Sequence, residues 1–113
     1  MNVFVFETDL AGRHPDEAMK HGAIRHQPKG LQGESYAIPT KGHDAQPLPA
    51  YMINRQVNEF MRFAMTHPDY VFIVNKIGCG PNGYKDSVIG PMFDIAPSNC
   101  ILPTEWEGYR SKA

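Results

Sequence analysis

The stretch from Tyr70 to Met92, YVFIVNKIGCGPNGYKDSVIGPM, constrains the fold more than any other part of the chain. It opens with Tyr70-Val71-Phe72-Ile73-Val74, a β-branched and aromatic run with the character of a strand buried inside a sheet. The run breaks at Ile77-Gly78-Cys79-Gly80-Pro81-Asn82-Gly83, where three glycines and a proline exclude both helix and strand. After Asp86 an apolar rhythm returns at Val88, Ile89 and Met92, which suits a short helix. A strand, a glycine-rich loop and a helix N-terminus in that order turn backbone N–H groups outward, a setting for phosphate or another anion. A purely structural turn needs the same glycines, so the pattern leaves binding and turn equally open. It is neither G-x-G-x-x-G nor a Walker A loop.

The rest of the chain alternates in the same way. Asn2–Phe6 reads as a first strand ending at Glu7-Thr8-Asp9, followed by a loop to His14. Pro15-Asp16-Glu17 opens a short helix, with proline at its first position and acids at the positive end of the dipole; Gly22 stops it. Arg25–Glu34 is polar and turn-rich, and Ser35–Ile38 is a second strand closed by Pro39. The clearest helix lies between Pro49 and His67, where Ile53, Val57, Phe60, Met61, Ala64 and Met65 make one apolar face. Cys100-Ile101-Leu102 is a last short strand, and Trp106 and Tyr109 either cap the core or sit at a subunit contact. Strands alternating with helices predict an α/β fold, a small, mostly parallel sheet flanked by helices, in one domain spanning residues 1–113. Ligands of such sheets bind beyond the carboxyl ends of the strands. The loops Glu7–His14, Pro39–His43 and Ile77–Asp86 are therefore expected to converge on one edge.

Composition narrows the functional classes. With 42% hydrophobic and 20% charged residues this is an ordinary globular chain. No apolar run approaches the ~20 residues of a membrane span, and no signal-peptide pattern opens the sequence, so a cytoplasmic location without membrane partners is expected. The net charge of −1 and the scattered Lys and Arg residues offer no basic stripe for nucleic acid. Cys79 and Cys100 lack metal-ligand spacing and are expected to be reduced thiols. Of the five histidines, His14, His21 and His26 match no metal-ligand pattern, and no cofactor is implied.

The candidate ligand-binding residues follow from the three loops. Gly78, Cys79, Gly80 and Gly83 supply backbone donors. Thr40 and Lys41 follow the second strand, where the lysine cation is placed to meet an anion; Arg13 and His14 hold the equivalent place after the first strand, and Arg13 is suited to bidentate phosphate contact. Asp86 and Glu7 are the acids nearest the loops, Asp86 being also a natural N-cap for the following helix. No Ser–His–acid order is present, and Cys79 has no evident activating partner.

Three segments together carry a resemblance. Val5–His14 (VFETDLAGRH), Gly30–Lys41 (GLQGESYAIPTK) and Ile77–Gly80 (IGCG) resemble a family of small uncharacterised phage and bacterial proteins with an "FGSNLAGRHGAGAA" start, a "GLQG-SYAIPTK" middle and an "IGCGLAGY" loop. The likeness covers nearly the whole chain, through Asn99–Pro103 and Trp106. That family in turn resembles a reduced macrodomain, the ADP-ribose-binding fold, in the branch that removes ADP-ribose from proteins or DNA. Two departures stand out. Pro15-Asp16-Glu17 replaces the glycine- and alanine-rich loop after His14, and Asn82 stands where hydrolytic relatives carry an aspartate, while Lys41 is kept. Asparagine cannot act as general base or nucleophile. The resemblance therefore implies a phage protein that binds an ADP-ribose-like or other NAD-derived nucleotide, without catalytic residues, and acts against host defence by sequestering an immune signal such as a cyclic ADP-ribose isomer. On that reading the glycine loop holds phosphate, Arg13 and Lys41 add charge, Asn82 bonds a ribose hydroxyl or base edge, and Tyr36 or Tyr84 stacks on a ring. Two alternatives stay open: an ADP-ribosyl hydrolase using Lys41 with Asp86, and a ligand-free module that inhibits a host protein. A homo-oligomer that completes its pocket across a symmetric dimer is also compatible with the sequence.

Overall fold

The computed structural model describes residues 1–80 and 83–111. Its elements, in chain order, are β1 (Asn2–Asp9), α1 (Asp16–Lys20), β2 (Gly30–Gln32), β3 (Ser35–Lys41), α2 (Ala50–Met65), β4 (Val71–Val74), α3 (Asp86–Ile89), a 3₁₀ helix over Gly90–Phe93, β5 (Cys100–Ile101) and a second 3₁₀ helix over Thr104–Tyr109. The strands form one five-stranded sheet in the order β2-β3-β1-β4-β5. All neighbours run parallel except the β2–β3 pair, which is an antiparallel hairpin. The fold is thus α/β with a mixed sheet.

Strand alternation sorts the core into two layers. Val3 and Val5 of β1, Tyr36 and Ile38 of β3, and Phe72 and Val74 of β4 face α2, which buries Ile53, Val57, Phe60, Met61 and Ala64 against them. This is the face expected from the helical period, except that Met65 is 54% exposed. On the other face Phe6 and Ala37 pack against Ala18 of α1.

Several boundaries differ from the sequence reading, each for a local reason. β1 continues past Phe6 to Asp9, because the buried polar side chains there are bonded: Thr8 Oγ1 to His14 Nδ1 at 2.9 Å, and Asp9 Oδ1 to the Ala11 N–H at 3.0 Å. β3 likewise runs through Pro39 to Lys41. Pro39 lies opposite Thr8, beyond the last β2–β3 pair (Gly30↔Ala37), so β2 asks no ladder donor of it. The short strand β2 lies in a stretch read from sequence as turn. Its hairpin closes at Gly33 (φ +61°), where an added Cβ would sit 2.9 Å from Gly22 Cα.

From β1 the chain winds outward to β3 on one side and, through α2, returns to β4 on the other. α1 and α2 cover opposite faces of the sheet. The region beside the carboxyl end of β1 is therefore a topological switch point, where connections diverge and leave a crevice.

Candidate functional site

A cleft of ≈ 150 Å³ occupies this crevice. Its walls are Glu7 from the end of β1, Thr40 and Lys41 from the end of β3, Ala45–Pro47 from the following loop, Ile53 of α2, and Gly78, Gly80, Gly83 and Tyr84 from the loop after β4. The ends of β1 and β3 and the loop after β4 meet here, but of the expected first loop, Glu7–His14, only Glu7 reaches the cleft. Thr40, Lys41, Gly78, Gly80, Gly83 and Tyr84 are brought together as a site.

The glycine loop is held in shape by its own bonds. Gly78 adopts φ +73°, a left-handed conformation suited to glycine, and an added Cβ on Gly83 would lie 2.5 Å from Gly78 O. The Gly83 N–H donates to Gly80 O and the Tyr84 N–H to Gly78 O, each at 2.7 Å. Tyr84 Oη donates to Leu48 O at 2.7 Å, tying the loop to the chain entering α2. Two of the loop's N–H groups thus bond inward and are not offered to a ligand.

A third meets Glu7. The Gly78 N–H donates to Glu7 Oε1 at 3.3 Å, and Thr40 Oγ1 donates to the same oxygen at 2.7 Å. Glu7 is half-buried. No other described residue donates to this carboxylate. Lys41, also half-buried, forms no ion pair among the described residues. The residues lining the cleft therefore carry a fixed carboxylate, a cation and the hydroxyls of Thr40 and Tyr84. Glu7 is the site residue that the motif reading did not select, yet a signal for it exists: counting by two from Val3 and Val5 puts residue 7 on the α2 side, at the strand's carboxyl end.

The remaining candidates lie elsewhere. Arg13 does not line the cleft. Its Nε pairs with Asp9 Oδ2 at 2.9 Å and its guanidinium donates to His43 O, so it anchors the loop that forms one wall. His14 is 8% exposed and spent on structure: Nε2 lies 2.7 Å from Ile24 O, which can only accept, so Nε2 carries a proton, and Nδ1 is hydrogen-bonded with Thr8 Oγ1 at 2.9 Å. Together with Gly12, Asp16, Met19, Arg25 and His26, Arg13 and His14 line a separate hollow of ≈ 120 Å³. Tyr36 packs inside the core against Phe60 and Phe63, with ring centroids 5.1 and 5.3 Å apart, and burial pushes its phenol up to about 12. It is not placed to stack on a ligand.

Cys79 is half-buried and does not line the cleft; burial, with Asp86 nearby, raises its thiol to about 11, so it is a neutral thiol near pH 7. Cys100 is buried and also free. Asp86 is not the cap of α3, which begins after Lys85 without a side-chain cap bond. Its Oδ1 instead accepts from Trp106 Nε1 at 2.8 Å and its Oδ2 from Lys76 Nζ at 3.0 Å. Lys76 also pairs with Glu105 at 2.6 Å. The Trp106 hydrogen bond, then Lys76, holds the Asp86 carboxyl below its ordinary range. Trp106 is fully buried and stacked on Phe93 at 5.1 Å, which settles it as a core cap. Asn82 lies outside the described residues.

Among the described residues no three His, Cys, Asp or Glu side chains gather as metal ligands, and no helix is long and apolar enough to cross a membrane. No family model, curated protein or solved structure matches the chain.

Proposed function

We propose that this protein is a macrodomain-like binder of an ADP-ribose-like or other NAD-derived nucleotide, and that as a phage protein it withdraws such a signal from host defence. The nucleotide and the biological role rest on the resemblance of the three motifs. The observation that carries binding is the convergence of three separate strand ends, with Thr40, Lys41, the glycine loop and Tyr84, on one cleft at the switch point. Ligand pockets for whole drug-sized molecules run to roughly 300–1,000 Å³. At ≈ 150 Å³ this cleft accommodates one end of a nucleotide, with the remainder lying across the rim.

A hydrolase is the second reading, and one observation favours it: an acid does line the cleft. That acid is Glu7, since Asp86 is engaged by Trp106 and Lys76 outside it. Calorimetric titration with ADP-ribose, NAD and cyclic ADP-ribose, followed by heat release and chromatography of the bound compound, tests both. Saturable binding with the ligand recovered intact is the expected result. A cleaved product would replace the binder by the hydrolase, and absence of heat with all three compounds would overturn the nucleotide reading.

A further inference from the structure

We infer that the glycine loop of this cleft receives the neutral, hydroxyl-bearing sugar end of its ligand, read by the Glu7 carboxylate, and that the phosphate lies away from the loop, toward Lys41. This deepens the nucleotide reading and rests on it, but it reverses the orientation that a glycine-rich loop ordinarily suggests.

Charge and donor accounting lead there. A phosphate cradle needs outward N–H groups and no competing anion. Of the described loop N–H groups, that of Gly78 already donates to Glu7 Oε1 and those of Gly83 and Tyr84 bond to loop carbonyls, so that only those of Cys79 and Gly80 are left without a bond among the described residues. A phosphate seated on Gly78 would lie against the carboxylate, and like charges in a half-buried site repel. Glu7 is, however, well prepared to accept. Thr40 Oγ1 at 2.7 Å and Gly78 N at 3.3 Å fix its Oε1, and among the described residues no donor reaches Oε2. A carboxylate has about four acceptor positions, so positions remain for ligand O–H groups. A pair of neighbouring sugar hydroxyls offers such donors in a fixed geometry. The volume of ≈ 150 Å³ suits one sugar ring, and the cation of Lys41 on the same cleft supplies the complement for a phosphate attached to it. Tyr84, anchored through Leu48 O, lines the same cleft. The ligand class is thus a ribose phosphate with free vicinal hydroxyls, whether alone or as the end of a dinucleotide.

Ribose 5-phosphate, 2-deoxyribose 5-phosphate, inorganic phosphate and ADP-ribose are titrated against the whole chain and against Glu7→Gln. Glutamine keeps a carbonyl oxygen for Thr40 and Gly78 but turns the second oxygen into a donor. The wild type is expected to prefer ribose 5-phosphate over its deoxy analogue by roughly tenfold to a hundredfold, the worth of one hydrogen bond to a charged group. Glu7→Gln should collapse that preference and leave inorganic phosphate binding equal or stronger. Equal affinity for the two sugar phosphates in the wild type, a measurement that needs no variant, overturns the inference; so does failure of both to bind. If ADP-ribose binds while the sugar phosphates are not distinguished, the orientation falls and the nucleotide reading stands. If the sugar phosphates are distinguished but no nucleotide binds, the nucleotide reading falls and the Glu7 site stands.

Discussion

Asp86 shows how a single side chain changes meaning once the chain is folded. From sequence it is an acid beside a glycine loop, open to capping or catalysis; in the structure it joins Trp106, twenty residues on, to Lys76. No local pattern announces that pairing, because it needs the 3₁₀ helix of Thr104–Tyr109 to fold back over α3. Its depressed carboxyl has a consequence with a definite sign. A folded-state value below the ordinary 3.8 contributes stability above that pH, lost as the pH falls through the lowered value. Asp86→Asn should therefore be less stable than wild type at neutral pH, with the gap closing below about pH 4. Urea unfolding at pH 7 and near pH 2.5 checks this; a gap that stays constant would mean that the carboxylate's charge is irrelevant. Lys76, raised by its bonds to Glu105 and Asp86, contributes in the opposite direction and loses its share only in alkali. Tyr36 and Glu7 make a complementary pair of cases. Both are legible by parity, since Tyr36 alternates with Ile38 into the core and Glu7 with Val5 toward α2, a count that no motif carries.

Among the elements, α2 and the order of strands and helices were readable because periods of 3.6 and 2 survive any tertiary context in which one face is buried. β2 was not readable. Three residues, Gly30-Leu31-Gln32, carry no period, and the strand exists because Ser35–Ala37 pairs with it. The convergence of the loops followed from topology, but the internal bonding of the glycine loop did not, since glycine permits both an outward cradle and a closed turn. The two kinds of glycine can now be told apart. A Cβ on Gly83 would press on the backbone oxygens of Gly78 and Gly80 at 2.5 and 2.8 Å, whereas one on Gly80 would meet nothing within 4 Å among the described residues. Gly83→Ala is expected to cost about 1–3 kcal/mol, as overpacking against backbone does. Gly80→Ala should stay within roughly 0.5 kcal/mol of wild type while narrowing the cleft that it lines. Chemical denaturation of the two variants decides: comparable losses would show that the loop is not held by the Gly78–Gly83 turn.

For the molecule as a whole, the cleft depends on one continuous core. Phe60 stands at its centre, fully buried, with ring centroids 5.1 Å from Tyr36 on β3, 5.4 Å from Phe72 on β4 and 6.4 Å from Phe93 beyond α3. The ends of β3 and the loop after β4 are among the parts that build the site, and Phe60 lies on α2, which supplies Ile53 to it. Phe93 passes the contact on to Trp106, so the same aromatic chain reaches the C-terminal 3₁₀ helix. Phe60→Ala removes the hub and should cost about 3–5 kcal/mol. That is a large share of the roughly 5–15 kcal/mol typical of a domain, and should lower the thermal midpoint by roughly 10–25 °C. Because one core joins both sides of the switch point, the loss should not split the transition. Trp106 is the sole tryptophan and lies fully buried, so its fluorescence reports the far end of that chain, while circular dichroism reports the helices and sheet. Both signals should move together, in wild type and in Phe60→Ala, as a single cooperative unfolding requires. Separate midpoints would instead make the C-terminal segment its own unit, and the Asp86–Trp106 bond the joint between two pieces and not a strut within one.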